Sequence, residues 1–143
     1  MLTRILCATD GSKVSDKAVA FAIALARKLD AHLTFLAVET VTAEIAARSA
    51  FWDTSLLAAG EAQLRQELAA AVRLANEQGL ARVEYATAQG RQIGKAIAYY
   101  AHEHGHDHIV MGSHGATGIE RLMLGSVAQD VVAAAHCPVT IVR

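Results

Sequence analysis

The feature that most constrains this chain is a rhythm in which five short apolar runs alternate with longer stretches whose apolar residues recur every three or four positions. The runs are Thr3 to Thr9, His32 to Val38, Ala81 to Ala88, Asp107 to Gly112 and Val139 to Val142. A run that is apolar throughout suits a strand buried on both faces. The first run is followed by Ala18, Phe21, Ala22, Leu25, Ala26 and Leu29 at helical spacing, so the two together read as the first half of a βαβ unit. Ser12 or Ser15 is placed to cap that helix. The segment from Ala43 to Gln78 is rich in alanine, leucine, glutamine and glutamate and reads as helical, most sharply from Ala58 to Glu77. Gly79 is positioned to end it in the left-handed region. Within Ser49 to Ser55, Phe51 and Trp52 suggest a bend or lid. Arg91 to His104 and Ile119 to Ala135 read as the remaining helices. The pattern predicts an α/β fold, with an open, mainly parallel five-stranded sheet and helices on both faces.

Composition narrows the possibilities. With 143 residues, 53% apolar and 19% charged, and one proline, the chain fits a single globular domain over residues 1–143. Its net charge is −1, and its 13 lysines and arginines form no run longer than Arg27-Lys28. The concentrated positive charge on which nucleic-acid affinity rests is missing from the sequence, so nucleic acid is not an expected partner. Cys7 and Cys137 sit in apolar segments and read as buried small hydrophobes of a reducing compartment. No secretory leader precedes the first strand and no apolar run approaches about 18 residues, which points to the cytoplasm without membrane insertion.

In open sheets of this kind the ligand crevice lies outside the carboxyl ends of the strands, where strand order reverses. That rule puts Thr9-Asp10 and Met111-Gly112 on the functional edge. From the second of these, Gly112, Gly115, Gly118 and Gly125 place four glycines within fourteen residues, directly after a strand and before a helix. Glycine removes the side chain and permits positive φ, so successive N–H groups can converge on an anion, and Ser126 adds a hydroxyl. A structural turn is the competing reading, because turns after strands favour glycine anyway. Asp10 similarly has two readings: contact with a ribose hydroxyl or adenine amine, or a cap on the first helix. Its charge places it at the nucleoside end of a nucleotide, unless Mg²⁺ lies between it and the phosphates.

Three familiar patterns fail on inspection. Gly90, Gly94 and Lys95 imitate a Walker A loop, but the glycine spacing is short and Ala96 stands where a Mg²⁺-binding hydroxyl is needed. His102-Glu103-His104-Gly105-His106 matches the zinc-protease pattern H-E-x-x-H, yet Gly105 breaks the helix that must carry both histidines. A polar, partly exposed turn is the simpler account of His102, His104, His106 and His108, with opportunistic divalent-metal binding as the alternative. No G-x-G-x-x-G follows the first strand, which argues against a dinucleotide dehydrogenase. No nucleophile, base and orienting group assemble at informative spacing, and Ser113 beside His114 is not enough. No catalytic residue and no protein metal ligand is assigned.

These residues resemble the universal stress protein family over nearly the whole chain. The likeness rests on the strand ending in Asp10-Gly11-Ser12, the strand ending Ala37-Val38, the block Asp107 to Gly118 and the closing Cys137-Pro138-Val139-Thr140-Ile141-Val142. Its most specific element is a glycine, two residues, a glycine, nine residues, then glycine and serine, satisfied by Gly112, Gly115, Gly125 and Ser126. The resemblance implies a Rossmann-like sheet of order 3-2-1-4-5 of the adenine-nucleotide alpha-hydrolase type and membership of the ATP-binding subgroup. It implies Asp10 beside the adenosine, the main chain around Val38 lining the adenine pocket, and Met111 and Gly112 near the ribose. Gly115, Gly125, Ser126 and Val127 would hold the phosphates of ATP, ADP or AMP, often with Mg²⁺ or Mn²⁺. Relatives that bind ATP often carry proline at the position of Ala8, so alanine there makes this turn of the site less rigid. A homodimer through the last strand is also implied, and pairing would cover an otherwise open edge.

The leading functional expectation is therefore an ATP-binding regulatory protein of the stress response with slow or no hydrolysis, since the glycine loop carries no P-loop lysine. The alternative is a dimeric adaptor that regulates a transporter or other protein partner and binds nucleotide incidentally.

Overall fold

The computed structural model describes residues 2–40, 54–113 and 124–143. Along the chain these form β1 (Arg4–Ala8), a 3-10 turn (Lys13–Ser15), α1 (Asp16–Leu29), β2 (His32–Thr40), α2 (Thr54–Glu77), β3 (Val83–Gly90), α3 (Ile93–Glu103), β4 (His108–Gly112), α4 (Ser126–Ala134) and β5 (Val139–Val142). The sheet has five strands in the order β3-β2-β1-β4-β5, and every pair is parallel. Cys7 of β1 lies level with Phe35 of β2 and Val110 of β4, so the central strands are in step, with β2 running on past the level of Ala8 to Thr40.

The period of two along each strand divides the core cleanly. Ile5, Cys7, Leu33, Phe35 and Val110 face α1 and α2, where Ala22, Ile23, Ala26, Leu68 and Ala75 meet them. Leu6, Ala8, Leu36, Ile109 and Met111 face α3 and α4, packing on Ile97, Ala101, Ala128 and Val131. Each fully buried leucine, isoleucine or phenylalanine in these layers contributes roughly 1.5–3 kcal/mol of transfer free energy. Cys7 is wholly buried and its thiol is pushed up to about 12 by that burial, so it is an inert packing group. Both cysteines are free.

One device ends three of the helices. Asp30, Gly79 and Gly105 have φ values of 52°, 92° and 68°. The next residue in each case bonds back five positions, with Ala31, Leu80 and His106 N–H donating to the carbonyls of Ala26, Ala75 and Ala101 at 2.9, 3.0 and 2.8 Å. This Schellman geometry satisfies a terminal carbonyl and turns the chain toward the next strand. Gly79 and Gly105 thus do what the sequence predicts of them.

Several boundaries and exposures differ from expectation. β2 continues to Thr40 and β3 is shifted two residues later than read. α4 begins at Ser126: Gly125, inside the helix read from Ile119 to Ala135, is its N-cap with extended backbone (φ −62°, ψ 161°), a glycine is a poor interior residue for a helix, and residues 119–123 of that reading lie outside the described residues. Phe21 and Leu29 are exposed, because the inward stripe of α1 runs through Ala18, Val19, Ala22, Ile23 and Ala26. Neither Ser12 nor Ser15 caps α1 with its side chain. His106 and His108 are buried, contrary to an exposed turn, since the Schellman bond draws His106 under the helix end and β4 carries His108 into the sheet. Phe51 and Trp52 lie outside the described residues.

Gly94 has a structural explanation. A Cβ built on it would sit 2.4 Å from Asp130 Cβ and 2.8 Å from the Val127 carbonyl oxygen, so the glycine lets α3 and α4 approach closely. Close helix packing accounts for half of the apparent Walker pattern.

Candidate functional site

The strand ends, α3 and the start of α4 enclose a cavity of about 320 Å³ at the carboxyl edge of the sheet. Its position follows from topology: β1 and β4 are the neighbours between which the chain's crossovers change direction. Leu36, Val38 and Met111 reach it from the strands, and Ile93 and Ile97 from α3. Thr9, Asp10, Ser15, Ser113, Gly125 and Ser126 supply its polar lining. An apolar wall meeting a few convergent polar groups, in the lower part of the ~300–1,000 Å³ range, is the usual form of a small-molecule site.

Each polar group is held by local bonding. Thr9 N–H donates to the Leu36 carbonyl at 2.9 Å, extending the β1–β2 ladder by one bond. The Thr9 hydroxyl accepts from Gly11 N–H at 3.1 Å and lies 2.8 Å from the Ser15 hydroxyl, which donates to the Ser12 carbonyl at 2.7 Å. Gly11 turns here with φ +78°, a value glycine adopts without strain. Asp10 Oδ1 accepts from Ser12 N–H at 2.9 Å and from Ser12 Oγ at 2.5 Å. Asp10 therefore braces the turn before the 3-10 segment and does not cap α1. Its Oδ2 has no partner among the described residues, and the side chain is exposed at the cavity rim.

On the opposite side, Ser113 N–H donates to Val142 O at 3.0 Å and Ser113 O accepts from Gly125 N–H at 2.7 Å. These two bonds tie the end of β4 to β5 and to the start of α4. The first helical bond within α4 runs from Gln129 N–H to Gly125 O at 3.0 Å. The amides of Ser126, Val127 and Ala128 precede it, and the N-cap supplies no side-chain bond to them. Residues 125–128 line the cavity, so amides without a partner among the described residues and the positive end of the helix dipole stand at its wall. That arrangement attracts an anion.

Of the residues read from the sequence, Ala8, Asp10, Val38, Met111, Gly112, Gly125, Ser126 and Val127 all line this one cavity. Gly115 lies outside the described residues, as do His114 and Gly118. Gly125 differs from expectation in one respect: its φ is negative, so what the site takes from it is the missing side chain and not a left-handed turn. Thr9, placed on the functional edge by the sequence, lines the cavity too, whereas Leu36, Ile93 and Ile97 were not read from the sequence and Ser15 was read only as a helix cap. The four-residue spacing of Ile93 and Ile97 on one helix face, and the shared parity of Leu36 and Val38 in β2, were the available signals.

The histidines of the turn before β4 do not converge. His102 stacks on His136 at 4.4 Å, His104 on Tyr100 at 3.8 Å, and His108 Nε2 lies 2.7 Å from Thr140 Oγ1. Among the described residues no group of histidine, cysteine, aspartate and glutamate is arranged to hold a metal ion. None of the described helices is long and apolar enough to cross a membrane.

Comparison with known proteins agrees with this fold. The model of the universal stress protein family matches residues 1–143. The universal stress protein MJ0531 of Methanocaldococcus jannaschii is 34% identical over 142 residues, covering 98% of this chain and 81% of the relative. The solved structure of the hypothetical protein MJ0577 superposes with a TM-score of 0.83 at 25% identity, covering 99% of this chain and 96% of that one. A universal stress protein solved in complex with cAMP superposes with a TM-score of 0.71 at 25% identity, covering 99% and 97%. The chain belongs to the universal stress protein family.

Proposed function

We propose that this chain is a nucleotide-binding regulatory protein of the stress response, which holds ATP in the cavity at the carboxyl edge of its sheet and hydrolyses it slowly or not at all. The observation that carries the reading is the polarity of that cavity: an apolar wall of Leu36, Val38, Ile93, Ile97 and Met111 faces one side, and the uncapped start of α4 stands on another. Adenine suits the first and phosphate the second. Oδ2 of Asp10, without a partner among the described residues, suits a ribose hydroxyl or adenine amine. A related protein of this fold has been solved with an adenine nucleotide, cAMP.

In this reading Ala8, Asp10, Val38, Met111 and Gly112 take the nucleoside, while Gly115, Gly125, Ser126 and Val127 take the phosphates. Mg²⁺ or Mn²⁺ would ride on the phosphates, as Mg²⁺ commonly does. The protein works as a homodimer through β5, whose outer edge pairs with no strand among the described residues. Sedimentation giving only a species near 15.1 kDa at micromolar concentration removes the dimer.

The test of the site is Gly125→Val, assayed by calorimetry with ATP. The extended φ and ψ of Gly125 are open to valine, so the variant folds, but its side chain projects beside the helix start and excludes phosphate. At least a tenfold loss of affinity is expected, and undiminished affinity refutes the assignment. Release and identification of the small molecules that survive purification distinguishes ATP from ADP, AMP or a cyclic nucleotide. A dimer that binds nothing at millimolar ATP is instead an adaptor.

A further inference from the structure

A second concavity lies on the other side of α3. It is an open groove of about 570 Å³ between β3 and α3, with Ala88 on the strand, Lys95, Tyr99, Tyr100 and His104 on or just after the helix, and Arg91 at the turn that joins them. The cavity described above uses Ile93 and Ile97, so one helix separates two different surfaces.

Three observations bear on what the groove accepts. The first is the main chain of β3, an eight-residue strand at the edge of the sheet whose outer side is paired with no strand among the described residues. Its sequence, Val83 to Gly90, contains neither proline nor lysine, two of the devices that blunt an edge against pairing. The second is charge. No carboxylate lines the groove, while Arg91 and Lys95 make no ion pair and no side-chain hydrogen bond among the described residues. Glu84, the carboxylate of β3, lies toward the other end of the strand, 3.8 Å from His32. The third is an exposed aromatic, for Tyr99 is 67% accessible on the groove's rim.

The spacing joins these observations. Lys95 and Tyr99 are four residues apart on α3, which corresponds to about 6 Å of helix rise. Alternate residues of an extended strand recur at roughly 6.6 Å. A strand laid on the β3 edge therefore presents every second side chain in step with that row, and Arg91 adds a second cation to the groove from the turn before the helix.

We propose that this groove docks an extended acidic segment of a partner protein, which adds as a sixth strand to the free edge of β3 while its alternate carboxylates meet Arg91 and Lys95. Main-chain bonds to the edge supply affinity and the two cations supply selectivity, the division of labour general to strand addition. The inference does not depend on the nucleotide reading, because its residues belong to the opposite face of α3.

The test uses fluorescein-labelled octapeptides and the full chain in fluorescence anisotropy. The probe is four repeats of Glu-Val. The controls are four repeats of Lys-Val and a block peptide of four glutamates followed by four valines. The alternating acidic peptide is expected to bind at least tenfold more tightly than either control, and to slow amide hydrogen exchange across residues 83–90. The double variant Arg91→Glu, Lys95→Glu should lose at least tenfold of that affinity while its unfolding midpoint and its calorimetric response to ATP stay within error. Equal binding of the lysine peptide or the block peptide, unchanged exchange in β3, or full affinity in the double variant each overturns the proposal. So does concentration-dependent self-association that the double variant abolishes, since the occupant is then a second copy of this chain.

Discussion

Acidification from pH 7 to pH 5 should weaken the folded state through His106. Its ring is 7% accessible, and neither ring nitrogen has a hydrogen-bond partner. Burial lowers its pKa from 6.5 to about 4, assisted by the charges of Arg4, His104 and His32 and only partly opposed by Asp107. The unfolded chain, titrating near 6.5, then binds the proton more readily than the folded one. Stability from this group is therefore complete above pH 6.5 and is lost as pH falls toward 4. The full depression corresponds to about 3 kcal/mol, of which about 2 kcal/mol is lost between pH 7 and pH 5. Asp107, whose pKa lies below its ordinary carboxylate value, does not change charge in that interval, whereas His32 and His108 are also depressed by burial and act in the same direction. The contribution of His106 is isolated by His106→Leu, which removes the titrating ring together with its unpartnered nitrogens. Urea unfolding at pH 7 and pH 5 should show the wild type losing about 2 kcal/mol more than the variant. At pH 7 the variant should be at least as stable as the wild type, because a buried polar group without a partner costs free energy. Equal losses in the two proteins refute the reasoning.

Other expectations rest on separate contacts. Gly94→Ala would push its Cβ against Asp130 Cβ and the Val127 carbonyl, so α3 and α4 must separate. We expect a loss of about 1–3 kcal/mol in urea unfolding, with weaker ATP binding because the start of α4 moves; an unchanged midpoint counts against the close packing. Asp107 accepts from Thr3 N–H at 2.8 Å, Thr3 Oγ1 at 2.9 Å and Arg4 N–H at 3.1 Å. Burial pushes its carboxyl up, but these bonds together outweigh burial and hold it below the ordinary value. Its stabilisation is present above the unfolded pKa and lost as pH falls through the lower folded one, so Asp107→Ala should cost about 1–2 kcal/mol at pH 7 and less at pH 3. Asp10→Ala should weaken adenosine and ATP while sparing tripolyphosphate in competition calorimetry, and an unaltered ATP affinity removes Asp10 from the site.

The central strands were legible because both of their faces are buried. A continuous apolar run such as Ile5 to Ala8 leaves little choice, and the parity that sends Cys7 to one layer and Leu6 to the other follows from the pleat. Helix boundaries were less legible where glycines crowd, since Gly125 carries no side chain whose preference announces a cap, and Leu124 and Gly125, read as helix interior, stand before the start of α4 at Ser126. The apolar stripe of α1 was misread for a related reason. Phe21 and Leu29 are large and draw the eye, yet small alanines at Ala18, Ala22 and Ala26 are what let the helix sit close to the sheet. Proximity in sequence misled most in the histidine run, where a helix end and a strand start send four neighbours to different surroundings: His136, Tyr100, the protein interior and Thr140.

The candidate site was legible to the extent that topology fixes it. Knowing only that β1 and β4 are central and parallel, Asp10 and Gly112 must lie near each other, and both do line the cavity. The apolar wall was not legible, because Ile93 and Ile97 look the same in sequence as Ile97 and Ala101, and only the tilt of α3 decides which pair reaches a ligand and which reaches the core. Gly94 lets α3 approach α4 closely, since a Cβ there would meet Asp130 Cβ and the Val127 carbonyl oxygen. The residue that first looked like a fragment of a phosphate loop thus bears on the site indirectly, because α3 carries Ile93 and Ile97 and the start of α4 carries Ser126 and Val127, all of which line the cavity. Distance between an apolar wall and a positive helix end is what separates a cavity for a nucleoside alone from one that also holds phosphates, so the spacing of α3 and α4 belongs to the binding specificity as much as any residue that lines the cavity.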